Sequence, residues 1–109
     1  MSPDDFAKLV DDVMEKVSAV LTLKEKEYSE GVDRLDQFKK GSLMLGIPPH
    51  KVLAGYMNKH TTSLYDMLKT SDTTKYPMGK WDEKIIDHIN YLLLLVGILE
   101  ENQNAKNAS

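Results

Sequence analysis

The chain has no cysteine. That excludes disulfides, thiolate nucleophiles and Cys-type zinc sites, and it is compatible with a reducing cytoplasm, the expected location. It has no excess of positive charge either: 14 Lys and Arg stand against 17 Asp and Glu, for a net charge of -3. Its basic residues are scattered among acids without aromatic interleaving, so no nucleic-acid partner is expected. Long hydrophobic runs are missing. Tyr91 to Leu99 is roughly half of what a bilayer span needs, and Asp87 and His88 precede it, so no membrane partner is expected. The N-terminus MSPDDFAKL carries acids where an export signal carries basic residues. The phosphate-cradling loops GxxxxGK[ST] and GxGxxG are absent, as are HExxH and GxSxG, and His50, His60 and His88 are not spaced as a helical zinc pair. No internal repeat and no sustained β-alternation occurs.

Helical patterning is what the chain does have. Ser2 suits an N-cap, Pro3 suits the first helical position, and Asp4 and Asp5 suit the positive end of a helix. Phe6, Leu9, Val10, Val13, Val17, Val20 and Leu21 then follow at helical spacing, predicting a helix from Pro3 to about Glu27, stopped by Gly31. Asp33 or its neighbour can cap a short second helix carrying Leu35, Phe38, Leu43 and Leu45, which Gly46 and Pro48-Pro49 end. A third helix is predicted from Pro49 to Leu68. Val52, Leu53, Tyr56, Met57, His60, Leu64, Met67 and Leu68 form its stripe, with His60 read as a core histidine. Thr70 to Lys80 reads as the longest loop and Trp81 to Glu101 as the last helix. With 109 residues, 41% of them hydrophobic, the chain has material for one modest core. The expectation is an all-α fold, a compact bundle of three long helices and one short one, in a single domain over 1–101 with a frayed, disordered tail over 102–109.

The last helix carries two lines. Ile85, Ile89, Leu92, Val96 and Leu99 recur as an apolar stripe. Glu83, Asp87 and Asn90 make a polar line within roughly 60° of arc, which Leu94 and Ile98 continue. Two acids entering a covered face need a cation or a hydrogen-bonding partner. Early in the chain, Glu27, Glu30 and Asp33 supply further carboxylates. Helix-borne carboxylates facing one another across a bundle hold hard divalent cations. Mg²⁺ in such sites is often completed by substrate phosphates, which points to a phosphorylated small molecule.

KEKEYSEGVDRLDQFKK, KHTTSLYDM and WDEKIIDHINYLLLL together resemble, over about Lys24 to Glu101, small phage and prophage proteins. These are related to the MazG-like all-α nucleoside triphosphate pyrophosphohydrolases and to phage nucleotide-modification-associated domains. The resemblance implies a MazG-like fold and cleavage of a nucleoside triphosphate to the monophosphate and pyrophosphate, with Mg²⁺, or Mn²⁺, held by ExxE and ExxD motifs. Glu27-Tyr-Ser-Glu30 looks like the first motif. The second is altered, since three residues separate Glu83 from Asp87, which leaves them about 40° apart on one helix face. The implied metal ligands are Glu27, Glu30, Glu83 and Asp87, with Glu27 and Glu83 as catalytic candidates. Lys24, Lys59 and Lys84 are candidate phosphate contacts, and Tyr28 or Trp81 a stacking platform for a base. A catalytically lapsed relative falls within the same reading, in a bacterial host cytoplasm if phage-encoded. The alternative is a non-catalytic oligomeric protein that binds a host protein or small nucleotide. In either case Leu92 to Leu99 offers more apolar surface than one neighbouring helix covers, so at least a dimer is expected.

Overall fold

In a computed structural model the described residues, 1–27 and 33–108 with side chains only to residue 22 in the first segment, are helical and contain no strand. The chain divides into two compact units, Met1–Val32 and Asp33–Ser109. The first is one helix, α1 (Pro3–Glu27). Its start follows the sequence signals: the Ser2 hydroxyl accepts the Asp5 N–H at 3.0 Å, and the Ser2 carbonyl accepts the Phe6 N–H.

The second unit contains α2 (Asp36–Leu45), α3 (Pro49–Leu68) and α4 (Met78–Ala108), with a 3₁₀ turn over Thr73–Lys75. Asp33 opens it. Its carboxylate accepts the Leu35 N–H at 2.9 Å and pairs with Lys39, which also reaches Glu101 on α4 at 2.9 Å. Gly46 ends α2 at φ 70°, a left-handed conformation that favours glycine, and its N–H returns to the Ser42 carbonyl. Pro48 is extended and Pro49 opens α3, the asymmetry of stop and start that the sequence predicts.

The core of this unit is Leu35, Phe38, Val52, Leu53 and Ile98, with Met57, Tyr91, Leu94 and Leu95 packed against it. Phe38 is fully enclosed. Helices α2 and α3 meet closely at Gly41, where an added Cβ would stand 2.7 Å from a Val52 methyl. Leu53 against Ile98, and His60 beside Asp87, make α3 and α4 antiparallel neighbours.

Helix α4 differs from expectation at both ends. It begins at Met78 rather than Trp81, because the Pro77 carbonyl accepts from Lys80 and Trp81 and starts the helix early. It runs on to Ala108, since NQNAKNA contains neither proline nor glycine to stop it. The packed face is the line through Ile86, Asn90, Leu94 and Ile98. The apolar stripe lies about 180° away by helical geometry, and there Ile85, Leu92, Val96 and Leu99 are exposed, Val96 to 52%. No helix among the described residues is long and apolar enough to cross a membrane.

Candidate functional site

The acid pair is placed by the connection between α3 and α4. Asp72 turns the chain, its carboxylate accepting from the Thr74 N–H at 3.0 Å and the Thr74 hydroxyl at 2.6 Å. The hydroxyl bond first, and then the N–H bond, holds the Asp72 carboxyl below the usual carboxylate range. The next residue, Thr73, offers its carbonyl to the Trp81 indole N–H at 3.0 Å, and Tyr76 packs edge-on against the same indole at 5.6 Å. Trp81 is buried with its one polar group engaged. It anchors the start of α4, and this fixes the direction in which Glu83 and Asp87 leave the helix.

Glu83 is exposed and Asp87 is half-buried one turn further on, with Lys84 between them. The Asp87 carboxylate lies 3.9 Å from His60 Nδ1 on α3, an ion-pair distance when the imidazole carries a proton. The His60 ring rests against Tyr91, centroids 4.9 Å apart and tilted by 44°. Beside this pair, the Thr61 hydroxyl and His88 Nδ1 lie 3.5 Å apart. One turn beyond Asp87, Asn90 is 3% exposed, and neither its amide nitrogen nor its oxygen has a hydrogen-bond partner among the described residues.

A groove of about 590 Å³ opens next to His60, between α2, α3 and α4. Met44, Val52, Tyr56, Lys59, His60 and Tyr91 are among its lining residues. Tyr56 is seated edge-on against Phe38 at 5.9 Å. The volume falls in the range of small-molecule sites, about 300–1,000 Å³, and the mix of apolar walls with a few polar groups is typical of them.

The structure therefore places Glu83 and Asp87 on one face of α4, and Lys59 beside the histidine that Asp87 faces. The side chains of Lys24 and Glu27, and all of Tyr28 and Glu30, lie outside the described residues. No group of three or more His, Asp or Glu side chains able to hold a metal occurs among the described residues. The two carboxylates of α4 are hard oxygen donors one turn apart, a partial set that suits Mg²⁺, which needs only one or two protein carboxylates when phosphate and water complete its shell. Sequence reasoning did not assign Tyr56 and Tyr91 to a site and left His60 in the core. The usable signal was two i,i+4 pairs, Tyr56–His60 on α3 and Asp87–Tyr91 on α4, which face each other once the helices pack. Comparison with known proteins finds no matching family model, no matching curated protein and no matching solved structure.

Proposed function

We propose that this chain is a MazG-like, Mg²⁺-dependent nucleoside triphosphate pyrophosphohydrolase, or a lapsed relative that still binds nucleotide. The observation that carries the reading is the position of Asp87. It belongs to an acid pair on one helix face, and through His60 it adjoins a groove lined by rings and a lysine. Asn90, a buried amide without a partner among the described residues, extends the polar line inward from that pair. Buried polar groups are normally satisfied, and an exception calls for a functional or structural reason.

On this reading Glu83 and Asp87 hold the cation, while the Glu27 side chain and Glu30, the other expected ligands, lie outside the described residues. The bound cation would neutralise phosphate charge and lower the pKa of a water. Glu83, exposed at the outer end of the pair, would take a proton from the attacking water, and Lys59, on the groove wall, would meet a phosphate. His60 faces the Asp87 carboxylate from the opposite helix at 3.9 Å. The test is pyrophosphate release over a panel of nucleoside triphosphates with Mg²⁺ or Mn²⁺. Release from at least one triphosphate, with a loss of about 100-fold or more in Glu83→Gln, is the expected result. No release from any member, or full activity in Glu83→Gln, rejects it.

A second reading has its own observation. The exposed stripe Ile85, Leu92, Leu93, Val96 and Leu99 is a continuous apolar helix face, and such faces serve as contacts between subunits or with another protein. Light scattering decides whether a dimer or larger assembly forms. A monomer mass at every concentration removes self-association.

A further inference from the structure

We propose that the groove between α2, α3 and α4 is the seat of the nucleobase, and that it takes a planar aromatic ring carrying an anionic tail. The inference rests on the nucleotide reading above and adds where and how the base is held. Three rings line the groove: Tyr56, His60 and Tyr91. All three have ring neighbours, Tyr56 by its edge contact with Phe38, and His60 and Tyr91 by their contact with each other. Pre-seated rings lose little freedom when a flat ligand stacks on them, and stacking on aromatic side chains tolerates any base.

Charge points the same way. Lys59 lines the groove, makes no ion pair among the described residues, and is the one charged side chain, beside a histidine, among the groove's described lining residues, none of which is an acid. It therefore favours an anion over a neutral or cationic ligand. Gly55 lines the groove as well, and a Cβ built there meets nothing within 4 Å. The space above this glycine is open, so a ring can lie against the backbone of α3.

The placement also matches the acid pair in reach. Tyr91 follows Glu83 by eight residues on one helix, about 12 Å at 1.5 Å per residue. A ring at Tyr91 thus leaves an extended phosphate chain room to run past Asp87 toward Glu83, with Lys59 near its start.

The experiment is titration of AMP and UMP, and of the uncharged nucleosides adenosine and uridine, by calorimetry in EDTA, so that binding needs no metal. Wild type, Gly55→Leu and Lys59→Met are compared. Gly55→Leu fills the groove from a position with free space, and its melting temperature should not fall. At least one monophosphate should bind wild type, and bind Gly55→Leu about tenfold or more weakly, the loss of one stacked base. Lys59→Met should weaken the monophosphate and leave the nucleoside unchanged. If this pattern appears while no triphosphate releases pyrophosphate, the groove assignment stands and the hydrolase reading alone fails. The proposal is overturned if neither monophosphate binds wild type, or if Gly55→Leu binds as wild type does. It is equally overturned if Gly55→Leu lowers the mass in light scattering without affecting nucleotide binding, since the groove would then belong to a second copy of the chain.

Discussion

An amide buried without its hydrogen bonds costs about 1–3 kcal/mol, and Asn90 carries both amide atoms in that state among the described residues. Leucine has nearly the same shape and no such cost. Asn90→Leu should therefore raise stability by about 1–3 kcal/mol in urea melts and, if Asn90 serves the site, lower pyrophosphate release in the same sample. A loss of stability would mean that the amide has partners beyond the described residues. Lys39 shows the opposite case, a polar group with more than one partner. Its hydrogen bond to Asp33, then that to Glu101, holds the ammonium above the usual lysine range. The same bond, followed by the Leu35 N–H, holds the Asp33 carboxyl below the usual range. The signs follow from linkage. The lysine contribution is complete below the unfolded lysine pKa and is lost as pH rises through the raised folded value. The aspartate contribution is complete above the unfolded aspartate pKa and is lost as pH falls through the lowered folded value. Between these limits the cluster is insensitive to pH. Lys39→Met should lower the urea midpoint at neutral pH, and since the groups are exposed, the difference should shrink at about 1 M salt, where charges are screened within about 3 Å.

At the scale of the element, α2 and α3 depend on one missing side chain. A methyl at Gly41 would meet Val52 Cγ1 at 2.7 Å, and Val52 is itself buried. Overpacking of this kind costs about 1–3 kcal/mol, against a helix-propensity gain of about 1 kcal/mol for alanine over glycine. Gly41→Ala should thus destabilise by about 1 kcal/mol net, whereas Gly55→Ala, with open space around it, should stabilise by up to about 1 kcal/mol. Thermal melts of the two variants check the contrast, and equal effects would contradict the close approach of α2 and α3. The starts of α1 and α3 and the stop at Gly46 were legible in sequence because each rests on local chemistry: Ser2-Pro3, Pro48-Pro49 and a glycine in the left-handed region. The facing of α4 was not. A helix with an apolar stripe on one side and Asn90, Leu94 and Ile98 on the other has two faces to bury, and periodicity alone does not choose between them. Packing chose the mixed face, because Ile98 and Leu94 complete the cluster around Phe38.

The all-α class of the whole molecule was legible from its helical spacings and missing β-alternation. The candidate site was legible only in part. Glu83 and Asp87 stand one turn apart on the sequence alone, but the groove beside them is assembled from α2, α3 and α4, and no local pattern announces a surface built by three helices. The proposed site requires Asp87 to be a functional acid and not a structural one. Its partner on α3, His60 at 3.9 Å and partly exposed, gives it at most about 1 kcal/mol of structural worth. Melting wild type and Asp87→Asn in EDTA and in Mg²⁺ separates the two roles. Mg²⁺ should raise the wild-type melting temperature, with a gain of about 2.7 kcal/mol at about 100 times the dissociation constant, Asp87→Asn should show no Mg²⁺ response, and the two proteins should melt nearly together in EDTA. A flat wild-type response to Mg²⁺, with Asp87→Asn clearly less stable than wild type in EDTA, would contradict a functional Asp87.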